Sequence, residues 1–392
     1  MMRKKDCVAL IDISHRGNLG LLSRDFIQAM VHYGGRYRLI DFVLSNCCRS
    51  QLDIVGILTQ WNPSPFHEYI GAGASWGFDR LGAKLEILPS LSGPEQEKSC
   101  RSTLEAIRDN IPFLEHYHPH TVLLIQAERI YFMDYRGLLA FHQKNRADVT
   151  LGVVAAGMNS PECPAVALGE QGRITAVGEN AGKSHINAMG AAVIDWKLLR
   201  RYLLQSNPEN SSDFYTGFLP SLLQNKEVRL FGCPFHGYWR AITGVESLWQ
   251  GQMDLLSAQS GLSVSEFQDK LFTNAPVPIP PQYLYPSNYL QNSLVAEGCT
   301  ISGSVRNSIL FPGVTIGEDA VVGDSVLMPG CVVQPGAQVF HSILGQEVTV
   351  SAQCRIGDAF YNDKINVIRS GAVVLHHPAA QQGKGYPAYS QG

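Results

Sequence analysis

Residues 11–22 read IDISHRGNLGLL and follow the buried run CVAL, the place in an α/β domain where a strand hands over to a phosphate-cradling loop. Such a loop works by presenting backbone amides, and glycine is needed because a Cβ keeps the backbone away from the anion. Here Gly17 and Gly20 lie late in the stretch, and His15 and Arg16 stand where a tight turn is wanted. A second candidate is the histidine cluster His116, His118 and His120 in HYHPH, of the ligand type that holds metals. Nothing beside it completes a ligand set, and alternation around Pro119 reads as a solvent-facing helix-to-strand connection. The nine cysteines include no CxxC pair, and Cys47 and Cys48 are adjacent, which suits neither a zinc knuckle nor a disulfide framework. Reduced thiols are expected, and with them a cytoplasmic location.

The chain as a whole narrows the possibilities further. Its 392 residues are enough for two domains with real cores. A net charge of −3 gives no reason to expect nucleic acid or an anionic membrane as partner. The basic start MMRKKDCVALIDIS has an apolar run broken by Asp12, too short for a signal peptide, and no window approaches a membrane span.

The elements that must position any site follow from periodicity. CVALIDI, DIVGILT, TVLLIQA and DVTLGVVA are short runs rich in Val, Ile and Leu and read as buried parallel strands. Between them, Leu104, Ile107, Ile111 and Leu114 recur at steps of three and four, one face of a helix. Val245, Leu248, Gln252 and Leu255 repeat that spacing with a polar interruption at Gln252. This alternation predicts an α/β, mostly parallel, doubly wound sheet over residues 1–273, with ligands beyond the carboxyl ends of its strands. Residues 274–290 carry five prolines and read as a linker. Beyond it the period becomes six. Val314, Ala320, Val326 and Val332 keep the beat, as do Ile316, Val322 and Met328, and Leu344, Val350 and Ile356 resume it. That predicts a hexapeptide-repeat β-helix over 291–375, with edges suited to subunit interfaces. Residues 376–392 read as a disordered tail in which His376 and His377 have no role.

Longer motifs then carry a resemblance. VHYGGRYRLIDFVLSNC at 31–47, VGILTQ at 55–60, ERIYFMDY at 128–135, AMGAAVID at 188–195, SDF at 212–214 and YWRAITGVESLW at 238–249 match, in order and spacing, the glucose-1-phosphate adenylyltransferases (ADP-glucose pyrophosphorylases). The resemblance implies a Rossmann-like nucleotidyltransferase domain followed by a left-handed parallel β-helix. It also implies the reaction of glucose 1-phosphate with ATP to give ADP-glucose and pyrophosphate. The sugar phosphate attacks the α-phosphorus, so catalysis rests on positioning and on positive charge from amides, Arg, Lys and a divalent metal.

Active members of the family carry GGRGTRL, and this chain has ISHRGNL at 13–19: Ile13 and Ser14 replace the glycine pair and Asn18 the arginine. The lysine of AKPA falls on Gln28, and the two metal-binding aspartates of GDHIY and YWRDVG fall on Glu128 and Ala241. The sugar-phosphate lysine of VEKP falls on Asn180, beside a retained Glu179, and the serine of SMG on Ala188. Framework residues Gly34, Gly35, Asp41, Asn46, Gly190, Trp239 and Arg240 remain. Arg101, Thr103 and Glu105 match the stretch that holds the nucleotide base, with Ser102 in place of its glycine. Residual ligand binding is therefore expected at Arg101, Thr103, Glu128, Glu179, Gly190, Trp239 and Arg240. Arg36 and Arg38 match the neighbourhood of the family's allosteric effector site; the alternative is surface arginines paired with carboxylates.

The losses fall on cationic and metal-binding roles. One missing stabiliser of this kind typically costs about 3 kcal/mol of barrier, and several together leave little turnover. The pattern resembles the noncatalytic subunit of the family. It implies no cofactor of its own (Mg²⁺ belongs to the active members), an active subunit of the same family as partner in a heterotetramer, and a possible sugar nucleotide or small effector as ligand. Two other readings stay open: a divergent active nucleotidyltransferase using Glu128 as metal ligand, and a sugar-nucleotide sensor.

Overall fold

A computed structural model describes residues 6–13, 19–22, 27–59, 64–89, 102–155, 163–182, 185–205, 213–274, 279–286, 289–358 and 364–375. The first domain is built on a seven-stranded sheet in the spatial order Leu230–Pro234, Val149–Ala155, Ile186–Asp195, Thr121–Gln126, Cys7–Asp12, Ile54–Thr59, Lys84–Pro89. The four apolar runs named above are all in it. Cys7–Asp12 and Ile54–Thr59 are buried along their whole length, which is why they lack polar alternation. Along the first strand, Ala9 and Ile11 join one core cluster with Ile40, Val43 and Leu138 of the covering helices. Val8 and Leu10 join the opposite cluster with Leu104, Ile107 and Leu199. The sheet is thus covered on both faces. Only Ile186–Asp195 runs antiparallel to its neighbours, so the sheet is mostly rather than wholly parallel.

The helix read within residues 101–117 is two. Thr103–Asp109 ends at Asn110, whose φ of −109° leaves the helical region, and Ile111–Tyr117 restarts with Pro112 in its first turn. Proline is tolerated there because a first-turn N–H has no intrahelical partner. The apolar stripe survives the break: Leu104, Ile107 and Leu114 are buried. Gln252, the polar interruption in Val245–Asp254, is fully buried and spans the VHYGG turn. Its Oε1 accepts from the Gly34 N–H at 3.1 Å and its Nε2 donates to the His32 carbonyl at 3.0 Å.

The second domain is a left-handed parallel β-helix with three sheets of six, five and five strands. The six-residue beat puts Val314, Ala320, Val326, Ile316, Val322, Met328, Leu344, Val350 and Ile356 inside; Val332 alone of the set is half-buried. Of the first coil, the strand Tyr283–Leu284 falls inside the stretch read as linker and Tyr289–Gln291 begins within it. They pair in parallel with the next coil, and the prolines at 280, 281 and 286 stand outside the paired positions. One corner repeats a motif that the hexad pattern does not reveal. Asn292, Asn307, Asp324 and His341 are left-handed, with φ between 42° and 49°, and each is followed by a serine. Ser308, Ser325 and Ser342 each donate Oγ–H to the carbonyl two residues earlier, at 2.7, 2.7 and 2.6 Å. Each serine N–H in turn donates to the Oγ of the serine one coil earlier, Ser308 to Ser293 at 3.1 Å, Ser325 to Ser308 at 3.1 Å and Ser342 to Ser325 at 3.2 Å. The buried hydroxyls of Ser308 and Ser325 therefore both donate and accept, as burial of polar groups requires.

The two domains share a core. Tyr33, Phe42, Ile242 and Phe267 of the first pack in one cluster with Ile309, Phe311, Val326 and Ile343 of the second. At the seam Trp249 donates to the Asp324 carbonyl at 2.9 Å and meets the His341 ring edge-on at 4.7 Å. The chain leaving the first domain is tied down as well: Trp76 donates to the Phe272 carbonyl at 3.0 Å, and the Phe272 N–H to Ser45 Oγ at 2.8 Å. No described helix is long and apolar enough to cross a membrane.

Candidate functional site

The carboxyl ends of the central strands meet where a doubly wound sheet is expected to bind ligands. Asp12 and Gln126 end adjacent strands in register, and Thr103 opens the Thr103–Asp109 helix. Ser102 caps that helix, accepting from the Glu105 N–H while Glu105 reaches back to the Ser102 N–H. This holds Thr103 so that its hydroxyl donates to the buried Asp12 carboxylate. Gly190, Asp213 and Tyr215 complete the lining of a cavity of about 10 Å³. That holds one water, whereas a small-molecule site takes roughly 300 Å³ or more.

Arg129 packs against Gly190. The residue is 7% exposed, and its guanidinium donates to Gln126 Oε1 at 3.1 Å and to the Glu128 carbonyl at 3.2 Å. Gly190, at φ +88°, has no room for a side chain: a Cβ would lie 2.8 Å from Gln126 Oε1 and 3.3 Å from Arg129 Nε. Arg129–Tyr131 pairs antiparallel with Trp239–Ala241, bringing Ala241 opposite Arg129. The Ile242 N–H donates to the Glu128 carbonyl at 2.9 Å, and the buried Gln28 side chain donates to the Ile242 carbonyl. Three of the degenerate positions, Gln28, Glu128 and Ala241, therefore converge. They do so around Ile242, which follows Ala241 and bonds Glu128 through its N–H and Gln28 through its carbonyl. Among the described residues, Gln28 Oε1 and Arg129 Nε are buried with no partner.

This set does not fit a divalent cation. Ala241 has a methyl group in the apolar core, and a guanidinium lies along the neighbouring strand. No group of three or more His, Cys, Asp or Glu among the described residues is placed to hold a metal.

The remaining candidates scatter. Trp239 is buried with its indole N–H on the Met189 carbonyl at 3.0 Å. Arg240 projects from the other side of the strand, away from the cleft, and pairs with Asp254 at 2.6 Å, with Tyr238 and Gln250 adjoining. Glu179 and Asn180 are exposed in a short turn. Asn18 and Arg101 lie outside the described residues. Arg36 reaches Glu297 of the β-helix at 3.8 Å, an exposed pair of small energetic weight. Arg38 stacks on the Tyr69 ring at 4.5 Å and donates to the Met30 carbonyl at 3.0 Å. Beside it, Tyr69 donates to both oxygens of Asp41 at 2.7 and 2.8 Å. Burial pushes the Asp41 carboxyl up to about 7, against the lowering effect of these donors. His32, beneath the Gly34 turn, is lowered to about 3 by burial and then by the Arg38 charge.

Sequence reasoning missed Asp12, Gln126, Arg129 and Asp213 as the groups that fill the cleft. Asp12 was visible as a charge ending an otherwise apolar strand. Arg129 and Asp213 lie within the matched stretches ERIYFMDY and SDF, but their contacts, like those of Gln126, depend on residues distant in the chain.

A nucleotidyl transferase family profile matches residues 19–258, and a profile for a GlmU-like, C-terminal hexapeptide matches 286–375. Among curated proteins the chain is similar to the glucose-1-phosphate adenylyltransferase of Desulforamulus reducens, 35% identical, over 91% of this chain and 90% of that protein. The similarity to the Acetivibrio thermocellus protein of the same name is also 35%, over 95% and 91%. For the Bacillus cereus strain Q1 protein it is 35%, over 89% and 94%.

Proposed function

The chain belongs to the glucose-1-phosphate adenylyltransferase family, and on that premise we propose that it is a catalytically deficient subunit of such an enzyme. In this reading it acts in the cytosol in glycogen synthesis, assembled with an active member of the family, as a heterotetramer, and it sets that partner's activity or effector response. The carrying observation is that the cleft's polar groups are bonded to one another around a water-sized space. A triphosphate brings clustered negative charge that the reaction must offset with cations, and Asp12, buried in the lining, supplies none. Gln28 is neutral, and Ala241 has no ligand atom.

The purified chain, given ATP, glucose 1-phosphate and Mg²⁺, is expected to release no pyrophosphate above background. Turnover abolished by Glu128→Ala would instead support the divergent-enzyme reading. Co-expression with an active family member tests the partnership: a stable complex with a shifted effector response is expected, and separate elution of the two chains would reject it.

A further inference from the structure

A second cavity opens on the first domain away from the cleft, between the end of the Leu39–Arg49 helix, the start of Tyr135–Lys144 and the end of Val264–Lys270. Its volume is about 450 Å³, within the range of roughly 300–1,000 Å³ typical of small-molecule sites. Asn46 is buried at its base, with both amide atoms committed: Nδ2 donates to the Tyr131 carbonyl at 3.0 Å, and Oδ1 accepts the Met133 N–H at 3.2 Å. The floor is therefore rigid. Phe132 and Met133 form an apolar wall.

The rim is cationic, with Arg49, Arg136 and Lys270 facing one lining carboxylate, Asp134. Arg49 donates to the backbone carbonyl of Asp269 at 3.0 Å and has no ion pair with a carboxylate among the described residues, which leaves most of its five donors uncommitted. Lys270 sits over the Phe132 ring at 5.0 Å and uses one of its three donors on Glu266 at 2.7 Å. Arg136 is held by Asp134, which also caps the helix by accepting the Arg136 N–H at 3.0 Å. Isolated surface cations scatter into solvent; here three from separate elements surround one concave, half-apolar space.

We infer that this pocket binds a small polyanion of the diphosphate or phosphate-ester class, gripped by Arg49 and Lys270 with Arg136 at the rim. Two charge-assisted contacts to phosphate oxygens suit the uncommitted donors, and the Phe132–Met133 wall takes the uncharged body of the ligand. The inference is independent of what the cleft does.

The probe is inorganic pyrophosphate, titrated calorimetrically into the full chain with EDTA present. Saturable one-to-one binding is expected. Arg49→Gln, at an exposed position, should weaken it about tenfold with unchanged melting temperature. Asp134→Asn keeps a capping side chain but removes the competing charge, and should tighten binding several-fold. Arg36→Gln, at the domain seam, should leave it unchanged. Absence of saturable heat, equal affinity in Arg49→Gln, or loss of binding in Arg36→Gln would each overturn the assignment.

Discussion

Buried polar groups occur in both domains, and the two handle them differently. In the β-helix corner, Ser308, Ser325 and Ser342 donate in one repeated pattern, coil after coil, and Ser308 and Ser325 also accept from the next coil. In the cleft, Asp12, Gln28 and Arg129 find partners one by one, and among the described residues Gln28 Oε1 and Arg129 Nε are buried with none. A serine in the corner is required by the backbone around it. The cleft groups have no such geometric demand; an active site of this family would instead require substrate and metal there. When that demand is gone, side chains settle on whatever donors and acceptors lie nearest. Under the proposed function, irregular satisfaction in the cleft beside regular satisfaction in the scaffold is what lost chemistry on a kept fold would leave.

The largest test puts the metal ligand back. Ala241→Asp buries a carboxylate in an apolar cluster, and urea unfolding should show a loss of about 3–5 kcal/mol. Millimolar Mg²⁺ should not restore it; recovery with Mg²⁺ would mean that the cleft still holds a cation. Next, Ser325→Ala removes two links of the serine ladder and strands the Ser342 N–H, costing about 1–3 kcal/mol in the same assay. Arg129→Met should be smaller, within about 1 kcal/mol of the parent, because it removes an incompletely bonded buried charge along with its bonds. If Arg129→Met costs more than Ser325→Ala, the contrast between the domains fails.

A further test concerns pH at the seam. The folded His32 is lowered to about 3 from an ordinary value of 6.5, so folding binds fewer protons there. Its contribution is present above about 6.5 and is lost as pH falls towards 3. Asp41, raised to about 7 from 3.8, contributes below 3.8 and loses that contribution as pH rises through 7. The two slopes oppose each other. His32→Gln removes the first, so its stability relative to the parent should improve steadily from pH 7 to pH 4, as read from urea midpoints.

Much of the fold was legible. Buried strands announce themselves as unbroken apolar runs, and the six-residue beat survives because every coil must fill the same interior. The split at Asn110 was not, because Pro112 is as acceptable at the start of a helix as it is damaging inside one. Gln252 was visible as an oddity, but its partners, His32 and Gly34, lie more than 200 residues away. The degenerate site was legible only through resemblance: Gln28, Glu128 and Ala241 mean little in isolation and acquire meaning from what stands there in relatives. The groups that closed the cleft, Asp12 and Arg129, depend on which distant strands become neighbours, and no local pattern encodes that.

The apolar cluster running from Tyr33 and Phe267 to Phe311 and Ile343 sets a limit on modularity. Cut at the proline-rich stretch, each half would carry a raw greasy face that its own sequence has no means of covering. The domain boundary visible in composition is thus no seam for dissection. Heating should give one calorimetric peak for the whole chain, and excised fragments should clump rather than fold.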